Sequence, residues 1–190
     1  VILTGNEIVR QRRLCNITLD PFMPAQVNPN SYNYRLGPVI KPFQGVDDVG
    51  LPVFSEVEIP SDGYVLQPGR MYLGNTMEVI GSSEYAMSLI GRSSIGRLGL
   101  FLQVSANLGH TTSCHQWTLE LVCVKPFRVY PAMTIGQVSF WTNFGSVDPY
   151  KGHYGRQNEP TESVLLTRRE ERGPSRKIPT KTGSTDARSS

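Results

Sequence analysis

Asp62-Gly63-Tyr64-Val65-Leu66-Gln67-Pro68-Gly69-Arg70-Met71-Tyr72-Leu73 reads as turn, strand, turn, strand. Asp-Gly closes a tight turn because both residues tolerate positive φ; Pro-Gly does so because proline fixes the entering φ and glycine accepts the exit. The same punctuation continues outward on both sides. Residues 77–80 and 85–90 are short apolar-rich runs, and 100–104, 117–124 and 135–141 complete the set. Many short strands without repeated helices predict a mainly β fold, a distorted jelly roll or β-barrel, not a doubly wound sheet.

Composition agrees with that reading. The chain has 190 residues with 18 Gly and 14 Pro, above the ~12% combined share of an average protein. Hydrophobic residues make up 38%, enough for one core. No run approaches the ~18 apolar residues of a membrane helix, and the opening lacks the apolar stretch of a signal peptide. Three cysteines, Cys15, Cys114 and Cys123, are too few for a disulfide scaffold and predict a reducing, cytoplasmic setting.

The net charge of +3 is unevenly distributed. From Arg168 onward there are seven Lys or Arg against three acids, with Ile178 as the one large aliphatic residue. Such a segment cannot bury enough surface to offset its ordering entropy. The reading is therefore one domain over residues 1–167 and a disordered basic tail over 168–190. No aromatic residue interleaves the tail's charges and the body has no basic run, so neither nucleic-acid nor membrane binding is expected.

Near the start, Thr4 stands three residues before Glu7, the spacing at which each side chain can satisfy the other's exposed backbone donor. A helix from there to about residues 12–13 follows. Residues 27–37 read as a turn and a short strand.

Two stretches carry chemistry. In Gly91-Arg92-Ser93-Ser94-Ile95-Gly96-Arg97-Leu98-Gly99-Leu100 a strand ends, two serines can cap, and Ile95 and Leu98 recur at helical spacing. Unpaired backbone N–H groups, two hydroxyls and two guanidinium groups within six residues suit a phosphate, although a capped surface turn accounts for them equally. In the strand around Thr118-Leu119-Glu120-Leu121, alternation puts Trp117, Leu119, Leu121 and Cys123 on one face and Thr118, Glu120 and Val122 on the other. If the second face lines a pocket, Glu120 is placed for proton transfer; if it faces water, it is a rim charge.

Those two stretches, with Val104-Ser105-Ala106 between them, resemble the dCTP deaminases of the dUTPase superfamily. The resemblance extends to 29–37 (Pro-Asn-Ser-Tyr-Asn-Tyr-Arg-Leu-Gly), Leu66-Gln67-Pro68-Gly69, 130–137 (Tyr-Pro-Ala-Met-Thr-Ile-Gly-Gln) and 150–157 (Tyr-Lys-Gly-His-Tyr-Gly-Arg-Gln). It implies a homotrimer of dUTPase-like jelly rolls with active sites shared between neighbours. The implied reaction is zinc-independent deamination of dCTP to dUTP and ammonia, with magnesium bound through the nucleotide phosphates and no metal ligands from the protein. By position, Glu120 is implied to shuttle the proton, and Ser93 and Arg97 to hold the water and the leaving ammonia. Val104 and Ala106 are implied to read the pyrimidine edge, and Arg92, Ser94, Tyr154 and Gln157 to face phosphates and the closing segment, which begins at Tyr150.

The chain also departs from that family. Where the family carries an Asp-Pro-Gly-aromatic-x-Gly turn that contacts the sugar, this sequence has His110-Thr111-Thr112-Ser113-Cys114-His115. His110 occupies the aspartate position, which weighs against diphosphatase chemistry and against strict deoxyribose recognition. Asn33 and His153 replace a usual aspartate and a common lysine. His110, Cys114 and His115 lack the ligand number and the partner pair of a zinc site, and neither His-x-Glu nor Pro-Cys-x-x-Cys occurs; a drifted loop is the simpler reading. The alternatives to dCTP deamination are a deaminase retuned to another cytosine nucleotide and a weakened, nucleotide-binding regulator.

Overall fold

The computed structural model describes residues 1–103, 106–152, 154–155 and 157–164. The chain opens with α1 (Gly5–Arg13), then β1 (Ile17–Asp20), β2 (Tyr32–Arg35), β3 (Val39–Val46), β4 (Pro52–Phe54), β5 (Val57–Glu58) and β6 (Tyr64–Leu66). There follow β7 (Met71–Ser82), β8 (Tyr85–Gly91), the single turn α2 (Ser93–Gly96), β9 (Leu100–Leu102) and β10 (Leu108–Gly109). β11 (Cys114–Cys123), β12 (Phe127–Val129) and β13 (Thr134–Thr142) complete the body.

All strand pairings among the described residues are antiparallel. One sheet runs β4-β3-β7-β11-β9, with β1 also on β7 and β5 on β3; the second runs β10-β8-β13-β2, and β6 pairs with β12. Apolar side chains from the inner faces meet between the two large sheets, among them Leu19, Ile80, Leu119 and Leu121 from the first and Tyr34, Leu89, Val138 and Phe140 from the second. Each fully buried aliphatic or aromatic side chain of this kind contributes about 1.5–3 kcal/mol relative to exposure. Gly136 lies at a bulge of β13 against β2, where a Cβ would strike the Tyr34 ring. Tyr34 in turn donates its hydroxyl to the Ile90 carbonyl at 3.0 Å, tying both neighbours of β13 together.

Several local expectations are corrected. Residues 70–73 and 77–80, read as two strands, form one twelve-residue strand, because β7 exchanges hydrogen bonds with β11 along nearly its whole length. The Thr4 cap forms, its hydroxyl accepting from Glu7 N–H at 3.3 Å. Glu7 does not return the bond; its carboxylate takes donors from Arg10 and Gln11 at 2.7–2.8 Å. The two serines do not cap α2 either, since Arg92 is its N-cap and no side chain bonds there. The proposed tail lies outside the described residues. Among the described residues no helix is long and apolar enough to cross a membrane.

The buried polar interior is organised around Glu78. Its side chain has no exposure, and its two oxygens accept from Arg35 Nε at 2.7 Å and Arg35 backbone N–H at 2.8 Å. This joins β7 to β2 and so one sheet to the other.

Candidate active site

Glu120 stands on the face of β11 away from the core, opposite Leu73 of β7, and is half-buried. It forms part of the floor of a cleft of about 460 Å³. Pro52 and Phe54 of the β3–β4 hairpin make one wall, and Ala106, His110 and Ser113 from the loop around β10 make another. Tyr150, Tyr154, Gln157 and Thr161, from the segment that follows β13, close over it.

That segment is held to β11 and its neighbours by polar contacts. Gln116 N–H donates to Asn158 Oδ1 at 3.1 Å, Thr161 N–H to Thr118 Oγ1 at 3.1 Å, and Tyr150 N–H to Thr112 Oγ1 at 3.0 Å. Lys41 meets Glu162 at 3.5 Å, and the Tyr150 ring stacks on His110 with centroids 4.8 Å apart.

Gln103 fixes the backbone around Glu120. Its Oε1 accepts from Glu120 N–H at 2.9 Å, while its Nε2 donates to the Ala106 and Thr118 carbonyls at 3.3 Å each. Gln103 itself sits at φ 50°, in the left-handed region that a non-glycine residue occupies at a cost. One amide side chain thus holds the Glu120 backbone, nearby Thr118 and the Ala106 loop in one arrangement.

A second anchor is the bulge of β11 between Gln116 and Thr118. There Trp117 drops out of strict alternation, donating its indole N–H to the Ile80 carbonyl at 2.9 Å and its backbone N–H to Thr76 Oγ1 at 2.9 Å. Its ring packs on that of His115 with centroids 4.2 Å apart. His115 is buried, lines the cleft, and has its pKa pushed down by that burial, against smaller raising effects of the Gln116 and Gln157 backbones. The drifted-loop reading of this stretch is therefore corrected: Cys114, His115 and Gln116 are paired residues of β11. Thr112 holds φ 74°, in the left-handed region that a non-glycine residue seldom occupies.

Of the residues singled out in the sequence, Glu120, Ala106, His110, Tyr150, Tyr154 and Gln157 line the one cleft. Arg92, Ser93, Ser94 and Arg97 do not; they lie at α2, which packs on β9, with Ser93, Ser94 and Arg97 exposed. Val104 and His153 lie outside the described residues. Asn33 is also remote from the cleft lining and exchanges amide bonds with Asn28. Gln103, His115 and Trp117 were missed as cleft residues: alternation turned Trp117 inward, and nothing in the local pattern foretold the bulge. No Lys or Arg occurs among the described lining residues. No group of three or more His, Cys, Asp or Glu among the described residues could hold a metal ion.

Beside Glu120 the sheet is apolar and open. Val122 pairs with Met71 on one side and Phe101 on the other, and the three are 39%, 39% and 42% exposed.

Comparison with known proteins adds the following. Residues 2–143 match the family described as dCTP deaminase-like. A "dCTP deaminase, dUMP-forming" of Cytophaga hutchinsonii is 39% identical over 168 residues, which is 87% of this chain and 96% of that protein. Its counterpart in Clostridium beijerinckii is 38% identical with the same coverage. A "dCTP deaminase" of Rhodopirellula baltica is 38% identical over 169 residues, covering 87% of this chain and 84% of that one. In fold, the chain resembles the crystal structure of 2'-deoxycytidine 5'-triphosphate deaminase from Agrobacterium tumefaciens, with a TM-score of 0.61 and 23% identity over 75% of this chain and 48% of that chain.

Proposed function

The chain belongs to the dCTP deaminase-like family, and from that membership and the cleft we propose that it hydrolyses the 4-amino group of a cytosine nucleotide, converting dCTP and water to dUTP and ammonia. The observation that carries this reading is Glu120: the single Asp or Glu among the described lining residues, half-buried on a strand clamped by Gln103.

The chemistry needs one group that takes a proton and gives it back. A carboxylate at the cleft floor accepts a proton from water as the oxygen adds to C4, then returns it to the amino nitrogen, which leaves as ammonia. Ala106, on the loop that Gln103 holds, is positioned beside the base, and Tyr150, Tyr154 and Gln157 cover the nucleotide. Magnesium belongs to this proposal as the companion of the triphosphate, with the protein supplying none of its ligands.

A triphosphate needs cations, and the described lining residues of one chain include no Lys or Arg. The guanidinium groups of Arg92 and Arg97 and the hydroxyls of Ser93 and Ser94 stand elsewhere on the subunit. We infer a homotrimer in which the row Met71, Val122 and Phe101 is covered and each cleft receives a neighbour's α2 turn. In that arrangement Ser93 and Arg97 order the water and ammonia, and Arg92 and Ser94 meet phosphate. A nucleotide substrate and free cysteines accord with a cytoplasmic setting.

The dUMP-forming designation of the Cytophaga and Clostridium relatives favours a second reading, in which the triphosphate is cleaved as well. His110, in the aspartate position, weighs against it by removing a carboxylate. Product chromatography on dCTP decides both points. dUTP with ammonia supports the first reading, and dUMP with pyrophosphate the second. Undiminished ammonia release by Glu120→Gln would remove Glu120 from either.

A further inference from the structure

Val46 stands 66% exposed on the β3–β4 hairpin. It pairs with Pro52, and Phe43 pairs with Phe54, so these four side chains share one face of the hairpin. That face is the cleft's: Pro52 and Phe54 line it, and the Phe43 and Phe54 rings meet edge to face with centroids 5.6 Å apart. Lys41, two residues before Phe43, stands on the same face. Gly45 and Val53 pair on the opposite one. An apolar strip therefore runs from the cleft out to the hairpin tip, where Asp47 and Asp48 are both exposed. From Val46 to Glu58 there are four acids and no Lys or Arg.

The segment that covers the cleft runs towards this strip. Asn158 is held at Gln116 and Thr161 at Thr118, both on β11, whereas Glu162 meets Lys41 on β3. Between 158 and 162 the chain has crossed the sheet from β11 over β7 to β3, and the next strand in that order is β4. Ser163 lines the cleft with Pro52 and Phe54, and Val164 gives its N–H to the Tyr154 hydroxyl at 3.1 Å. The described residues end there. Leu165 and Leu166 come next in the sequence, then Thr167, Arg168 and Arg169. Two residues span up to about 7 Å and adjacent strands lie about 4.8 Å apart, so both leucines can reach the strip. Two large aliphatic side chains beside an exposed apolar face gain by leaving water together. The arginines that follow bring the opposite charge to the acidic tip.

We propose that the β3–β4 hairpin is a docking surface for the chain's own residues 165–169, with Leu165 and Leu166 on the strip formed by Val46, Pro52 and Phe54, and Arg168 and Arg169 against Asp47 and Asp48. The hairpin thereby clasps the end of the covering segment and helps to hold Tyr154 and Gln157 over the cleft. The inference goes beyond the cytosine-nucleotide reading and rests on it only where dCTP kinetics are the readout.

The test is disulfide trapping in the full-length protein. Val46→Cys is combined with Leu165→Cys or with Leu166→Cys, and Val53→Cys, on the opposite face of the same hairpin, is combined with each as the control. After mild oxidation, peptide mass spectrometry is expected to find an intramolecular link from position 46 to 165 or 166, and none from position 53, because a disulfide forms only where Cα atoms come within about 7 Å. No link from 46, or equal links from 46 and 53, overturns the proposal. A link between chains, seen as a doubled mass without reductant, gives the strip to a second copy and overturns it too. Kinetics supply the second readout. The double variant Leu165→Ser with Leu166→Ser is expected to raise KM for dCTP about tenfold with a smaller change in kcat. Asp47→Asn with Asp48→Asn, which keeps the turn's acceptor oxygens, raises KM less, and that increment fades with added salt. An unchanged KM in the leucine variant overturns the clasp. Failure of the deaminase reading looks different: the 46-to-165 or 46-to-166 link forms, yet no variant and no wild type turns over dCTP.

Discussion

Gln103 Oε1 accepts the backbone N–H of Glu120 at 2.9 Å, and the same side chain donates to the carbonyls on either side of the cleft floor, at Ala106 and Thr118. The Glu120 carboxylate thus depends for its position on an amide that holds its backbone from the end of β9. A displacement of about 1 Å in a reacting group can cost on the order of 100-fold in rate. Replacement by leucine, of similar size but without polar atoms, is expected to lower kcat about 10–100-fold with a smaller effect on KM for dCTP. Steady-state kinetics read the split, and an unchanged kcat would show that the strand holds Glu120 unaided.

The Arg35–Glu78 pair makes the clearest prediction for stability. Removing one partner strands a buried charge, at a cost of about 3–5 kcal/mol. Glu78→Gln and Arg35→Met should each lower the urea midpoint accordingly and the thermal midpoint by roughly 10 °C. Replacing both residues is expected to recover part of the loss. Full recovery would be surprising, because Arg35 N–H also uses Glu78 as its acceptor.

Acid should weaken the fold through His115. Its folded pKa lies below the unfolded value of ~6.5 because it is buried. The unfolded chain therefore binds more protons between those two values, and stability is lost as pH falls below the unfolded pKa towards the folded one. Denaturant midpoints at pH 7.5, 6.5, 5.5 and 4.5 are expected to fall more steeply in the wild type than in His115→Phe, to the extent that this group governs the window. Parallel slopes would place the acid sensitivity elsewhere.

The proposed sharing of sites between subunits makes a prediction that no single-chain site can satisfy. Glu120→Gln and Arg97→Ala are each expected to be severely impaired. Co-refolded in equal amounts as a mixed trimer, they should regain roughly a quarter of the wild-type sites, those pairing an intact Glu120 with a neighbour's intact Arg97. Activity of the mixture no greater than that of its parts would refute the shared arrangement.

The strand-and-turn pattern was legible because it is local. Period-two alternation sorted Leu119, Leu121 and Cys123 inward and Thr118, Glu120 and Val122 outward, and the structure keeps that division. Turn pairs such as Asp62-Gly63 and Pro68-Gly69 placed β6 and the start of β7, since their backbone preferences hold in any context. The resemblance marked Glu120, Ala106, His110, Tyr150, Tyr154 and Gln157, and folding brings these together.

What the sequence could not supply were quantities fixed by register and by contacts distant in the chain. The bulge that turns Trp117 and His115 towards the cleft exists because β11 must stay paired with β7 on both sides of it. Gln103 reaches Glu120 across 17 residues, and Glu78 meets Arg35 across 43. His110 and His115 look alike as neighbours in a polar stretch, yet one stacks on Tyr150 at the cleft wall and the other is buried against Trp117. Local sequence determined which residues alternate, turn and carry chemistry, because backbone preference and side-chain period act over a few residues. Tertiary structure alone decided which of them meet, because a hydrogen bond or a buried side chain depends on surroundings that the chain assembles from distant segments.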